Sequence, residues 1–318
     1  MGKLIINEWA KLFRRPGTLV MFGLIFLLVV GIGGFSKYDA VKHPLEENKQ
    51  WKQELKQQLK DDRAFLKELG KNNTTVKTYY QREIAIKEYQ LKQDMAPQTE
   101  THVWSFVRDA EGVISFIGIF MIIVAAGIVS SEFNWGTIKL LLIRPMSRSK
   151  LLLSKFLTVL IFGLTLLATL FILSGITGYV LFGLPDNAVP HLAYLNGEVV
   201  ERSILVQLIV EYLLSSINML MVATMAFMIS SVFRNSNLAI GISLFLLFMG
   251  ETVTTILAGK FEWTKYILFA NTDLLVYFDG VPPVEGMTIM FSIIMLIVYF
   301  VVFQLSAFWV FAKRDVAA

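Results

Sequence analysis

Residues 131–157 read SEFNWGTIKLLLIRPMSRSKLLLSKFL. The stretch carries Glu132, Lys139, Arg144, Arg148, Lys150 and Lys155, yet it joins two long apolar runs. Asn134-Trp135-Gly136-Thr137 reads as a helix-breaking turn, because glycine is poor in a helix interior and asparagine favours turns. Ile138–Ile143 is a short apolar run that ends at Arg144-Pro145, since the residue before proline is pushed out of the α region. Ser147 then offers an N-cap for the next helix, which continues into the apolar run after Leu151. The pattern predicts a short, positively charged amphipathic element at a membrane surface, suited to docking a soluble partner.

Working outward, the composition sets the class. The 318 residues are 55% hydrophobic and 17% charged, far more apolar than a soluble domain requires. The apolar residues fall in separate runs of about 20, the length that crosses hydrocarbon. The chain therefore reads as an all-α polytopic membrane protein with six transmembrane helices. Its formal charge of +4 gathers at segment ends, so it gives no reason to expect nucleic acid as a partner. Cysteine is absent, which excludes a disulfide scaffold, a thiol nucleophile and zinc–thiolate ligation. His43, His102 and His191 lie far apart and outside the apolar runs, so no metal site is expected. There is no GxxxxGK[ST], GxSxG, HExxH or DxDxDG string, so neither ATP hydrolysis nor other catalysis is expected of this chain, and no catalytic residue is assigned.

Residues 1–15, MGKLIINEWAKLFRR, place Leu4, Ile5, Trp9, Leu12 and Phe13 on one helical face, with Lys3, Lys11, Arg14 and Arg15 elsewhere. This predicts a cytoplasmic interfacial helix with Trp9 at headgroup depth. The run at 16–36 exceeds a signal-peptide h-region and has no clear small-x-small cleavage site before the polar stretch, so it reads as a retained first span. Residues 37–110 differ in kind, with 14 Lys/Arg against 12 Asp/Glu. Trp51, Leu55, Leu59, Leu66 and Leu69, then Val76, Tyr80, Ile84 and Leu91, recur at helical spacing around the break Gly70–Asn73. Two amphipathic helices forming a hairpin off the membrane are expected. The remaining segments are a second span at 111–131, the polar element at 132–150, a third span at 151–184 and a loop at 185–202. A fourth span at 203–233, a turn at 234–237 and a fifth span at 238–258 follow. Residues 259–286 are aromatic-rich and polar, either an interfacial or re-entrant helix pair or an aromatic belt on a long loop. The sixth span is 287–312, with a tail at 313–318. Lysine and arginine gather in the short ends and loops of one side, which places both termini in the cytoplasm and the 37–110 hairpin outside.

Two carboxylates interrupt apolar runs. Glu211 shares a helical stripe with Gln207, Ser215 and Asn218, and a charge at mid-depth costs about 2.5–3.5 kcal/mol unless it faces protein or water. The stripe is a candidate translocation path or a contact with a second subunit; the alternative is a carboxyl hydrogen-bonded to a neighbouring helix near the outer interface. Glu251 lies nearer a segment end and reads as interfacial.

The ordered combination Glu132, Gly136-Thr137, Arg144-Pro145, Ser147-Arg148 and Lys155 resembles the cytoplasmic coupling loop of ABC type-2 exporter permeases. Glu8-Trp9 with Phe13-Arg14-Arg15 resembles the N-terminal entry of the same family. The resemblance implies a permease subunit without its own cofactor, with ATP and magnesium on a separate ATP-binding subunit and a second permease as homo- or heterodimer partner. It implies export of a drug, peptide or lipid across a cell membrane, bacterial by the style of the resemblance. By the same resemblance Glu132, Trp135, Gly136, Thr137, Leu141, Arg144, Pro145, Ser147, Arg148 and Lys155 would meet the ATPase. The hairpin at 37–110 departs from members with short loops. A membrane-anchored sensor or assembly protein, whose outer hairpin binds a partner, is the competing expectation.

Overall fold

The structure is a computed structural model, described over residues 1–43, 50–69, 74–97, 101–134, 147–185, 190–195 and 197–313. It is mostly helical. Among the described residues, six stretches are long and apolar enough to cross a membrane: Pro16–Lys42, Val103–Phe133, Arg148–Phe182, Ile204–Phe233, Ser236–Ala258 and Ile289–Lys313. Helices dominate because hydrocarbon offers no partner for backbone N–H and C=O groups, so each span must satisfy its own.

Gly2–Phe13 forms α1, and Pro16–Lys42 forms α2 with proline in its first turn, where no N–H is needed. Trp51–Glu68 (α3) and Thr74–Gln93 (α4) run antiparallel, tied by Lys52–Asp94 at 2.5 Å, Arg63–Glu88 at 2.5 Å and Lys87–Asp62 at 2.6 Å. Leu55 and Leu59 of α3 are buried in that pair. The second span begins earlier than its apolar composition suggested. Val103–Asp109 (α5) leads through a 3-10 turn at Ala110–Val113 into Ile114–Asn134 (α6). His102 starts α5 by accepting from the Trp104 and Ser105 amides at 3.2 and 3.3 Å, while Ser105 Oγ accepts from the His102 amide. The expected hairpin of 37–110 therefore stops short, and Arg108 belongs to the span.

Ser147 accepts from the Lys150 amide at 3.3 Å and caps Arg148–Phe182 (α7). Next comes a departure from the all-α expectation. His191–Leu195 (β1) and Glu198–Arg202 (β2) pair antiparallel, with Leu195 opposite Glu198. The sequence Asn196-Gly197 between them is a strong two-residue hairpin signal, and Gly197 has φ +93°, which only glycine adopts without strain. Treating 185–202 as a loop overlooked it. Ile204–Phe233 (α8) ends at Arg234 in the left-handed region, φ 56°, and Asn235 caps Ser236–Ala258 (α9) by accepting from the Leu238 amide.

Residues 259–286 hold no helix pair. They form 3-10 turns at Glu262–Tyr266 and Leu268–Ala270 and the single-turn Val276–Asp279 (α10). Buried Asn271 organises them: its Nδ2 donates to the Lys265 and Ile267 carbonyls, both at 2.8 Å. Ser292 of the last helix, Ile289–Lys313 (α11), donates to Asn271 Oδ1 at 2.8 Å. Tyr277 completes the knot at 2.6 Å from Ser292. Phe269 lies flat on Gly250 of α9, where a Cβ would stand 2.6 Å from its ring. Phe261, Trp263 and Tyr266 stay exposed at the rim, as aromatics of a membrane–water interface do.

In the bundle, α8 packs against α6, α9 and α11, while α7 packs against α1, α2, α5 and α6. Above it, α4 is tethered at two points. Tyr89 donates to Glu201 of β2 at 3.1 Å, and the Thr75 amide donates to Glu285 at 3.3 Å.

Candidate functional site

The N-terminal helix owes its seat to amphipathicity. Leu12 is buried, Trp9 lies 4.7 Å from Phe13, and both rings pack edge-on to Phe162 of α7 at 6.3 and 6.2 Å. Trp9 and Phe13, expected at the membrane interface, are thus also intramolecular anchors, and Thr18 fastens the turn by donating to the Leu12 carbonyl at 2.6 Å. Arg14 is exposed beside them, and Arg15 is the N-cap residue of α2.

This seating brings four charges from three helices together. Lys155 of α7 donates to Glu8 of α1 at 2.7 Å and to Glu132 of α6 at 3.0 Å. Lys11 bridges the same two carboxylates from the outside, at 2.9 and 3.2 Å. Lys155 is 1% exposed, Glu8 4% and Glu132 7%, so these three charges meet away from water, and half-exposed Lys11 closes the ring from the outside. Burial alone would push the Lys11 ammonium down, but the Glu8 hydrogen bond and the charges of Glu8 and Glu132 outweigh it and raise its pKa. A closed alternation of this kind is costly to break, because the survivors are left as buried charge.

The remaining members of the expected docking set divide. Ser147 is a helix cap, and Arg148 donates to the Ala312 carbonyl at 3.3 Å, linking α7 to the end of α11. Trp135, Gly136, Thr137, Leu141, Arg144 and Pro145 lie outside the described residues. Glu132 and Lys155, read as contacts offered to a partner, bind each other and, through Lys155, Glu8.

A second network lies at the other end of the bundle. Arg108 of α5 grips Glu211 of α8 with two hydrogen bonds, 3.2 Å from Nε and 3.3 Å from Nη2. Gln207 donates to the same carboxylate at 3.1 Å, and His191 Nδ1 of β1 accepts from Arg108 at 3.5 Å. Ser215 donates to Glu111, and Tyr212 donates to the Val107 carbonyl at 2.6 Å. Burial pushes the His191 pKa down, and neighbouring Arg108 pushes it the same way. The stripe expected along α8 is thereby split. Gln207, Glu211 and Ser215 bind groups at this end, whereas Asn218 Oδ1 is buried without a partner among the described residues. Arg108 and Glu111 were missed because they were assigned to the hairpin and to the edge of the second span. Their i, i+3 spacing at the start of an apolar run was the available signal. Glu251 remains exposed on α9. No cluster of three or more metal-binding side chains occurs among the described residues.

The family model described as "Protein of unknown function (DUF2705)" matches residues 73–317. The chain is 47% identical to "Uncharacterized protein YhcI" of Bacillus subtilis (strain 168), with both chains covered in full. It is 34% identical to "Uncharacterized membrane protein YdbK" of the same organism over 61% of this chain and 76% of that one. These matches correct the assignment to ABC type-2 exporter permeases. The family covering Glu132–Lys155 is the one of unknown function, and a basic turn between two spans is what charge-directed membrane insertion produces by itself.

Proposed function

The chain belongs to the family described as protein of unknown function DUF2705, and we propose that it is the membrane-spanning subunit of a transporter driven by a separate ATP-hydrolysing subunit. It moves a substrate such as a drug, peptide or lipid outward across the cell membrane, paired with a second membrane subunit. Helix α1 and the ends of α6 and α7 packed beside it face the cytoplasm, and α3, α4 and the β-hairpin face outward.

The observation that supports this reading is the Glu8–Lys155–Glu132–Lys11 network. It clamps a surface helix to the two spans that flank residues 135–146, so a force applied to that surface reaches α6 and α7 as one body. A motor bound there acts on the spans through differential contacts in its two nucleotide states.

The experiment is purification from the native membrane in gentle detergent, followed by an ATPase assay on what accompanies the chain. A stoichiometric ATP-hydrolysing partner, lost on charge reversal at Arg144 and Arg148, is expected. A chain that comes out alone overturns the reading in favour of a membrane-anchored sensor or assembly protein.

A further inference from the structure

Helix α3 sorts its side chains by charge around its axis. At 100° per residue, Lys52, Arg63, Lys56, Lys67 and Lys60 fall in that order within an arc of about 80°. No other residue of α3 falls in this arc. Gln53, Ala64 and Gln57 come next, then the acids Glu68, Asp61 and Glu54, and the buried Leu55 and Leu59 close the circle against α4. All five basic residues are exposed.

Packing accounts for two of them. Lys52 pairs with Asp94 and Arg63 with Glu88, which fastens α3 to α4. Among the described residues, no ion pair engages Lys56, Lys60 or Lys67. The stripe runs about 22 Å along the axis, and its three unpaired lysines span about 16 Å of it, in axial steps of about 6 and 10 Å.

We propose that this face of α3 docks an extended phosphate-bearing polymer. An isolated exposed lysine binds an anion weakly, but a row of them releases one counterion for each phosphate it neutralises, and the gains add along the chain. Four of the five cations are lysines, whose ammonium groups bind phosphate as compact point charges. A membrane surface fits less well. Helices that lie on lipid need apolar side chains beside their cations, and the buried leucines of α3 are spent on α4, while its exposed Phe65 lies on the far side from the stripe. The inference is independent of the transport reading, because it needs only the α3–α4 pair.

The test uses the full chain in phosphatidylcholine nanodiscs, titrated with long-chain inorganic polyphosphate at several salt concentrations. Binding is expected, with log K falling against log salt at a slope of about −2 to −3. The triple variant Lys56→Gln, Lys60→Gln, Lys67→Gln is expected to bind at least about tenfold more weakly with a flatter slope. The Lys→Arg triple and Lys37→Gln with Lys42→Gln are expected to match the parent, and unchanged helicity verifies folding. Equal binding by the Gln triple, tighter binding to polyglutamate, or binding only to phosphatidylglycerol nanodiscs overturns the proposal.

Discussion

Lys155 Nζ lies 2.7 Å from the Glu8 carboxylate, although 147 positions separate them in the chain. Removing the ammonium leaves two buried carboxylates with only half-exposed Lys11 between them. Lys155→Met is expected to destabilise the protein by about 3–5 kcal/mol. Adding Glu8→Gln and Glu132→Gln recovers part of that loss, since no buried charge is then unmatched. Thermal unfolding in detergent measures both, and equal losses in the single and triple variants would refute the network.

Arg108 is the partner that holds Glu211 in a buried position. Arg108→Met is expected to cost about 1–3 kcal/mol, because the guanidinium is half-exposed and Gln207 still donates to the carboxylate. Arg108→Met with Glu211→Gln should cost less than Arg108→Met alone. A double variant worse than the single would show that the two groups do not act as a pair.

The His102 pKa is lowered by burial and then by Arg108. Its Nδ1 must stay unprotonated to accept from Trp104 and Ser105. Below about 6.5 the unfolded chain takes up a proton that the folded chain refuses. Stability is therefore full above that pH and falls as pH drops toward the folded value. His102→Asn keeps a capping oxygen that does not titrate. Melting curves at pH 7.5 and 5.5 should show a smaller drop in the variant.

At Gly250 any Cβ meets the Phe269 ring at 2.6 Å. Gly250→Ala is expected to cost about 1–3 kcal/mol through overpacking. Phe269→Leu in the same chain should relieve the clash, so the double variant loses less than the two single losses added. Strict additivity in thermal unfolding would show that the contact is not limiting.

Arg82 is buried on α4, with Nε and Nη2 lacking partners among the described residues and its guanidinium 5.3 Å above the Tyr79 ring. An unsatisfied buried donor costs about 1–3 kcal/mol. Arg82→Leu should raise the melting temperature, and a lowered one would show that the stacking on Tyr79 outweighs the unsatisfied donors.

By itself the sequence determined the six apolar spans, the cap at Ser147, the break before α2 and the amphipathic α1 and α3. These are local properties, because a helix in hydrocarbon satisfies its backbone within its own segment and a cap acts within three residues. The β-hairpin was equally legible at Asn196-Gly197 and was passed over. Only tertiary structure decided which charges meet. Glu132 looked like a contact for a partner, and Glu211 was open between a path and a hydrogen bond to a neighbouring helix, until packing set Lys155 and Arg108 against them. An ion pair is fixed by distance in space, and nothing in the spacing of 103 or 147 residues encodes a gap of about 3 Å.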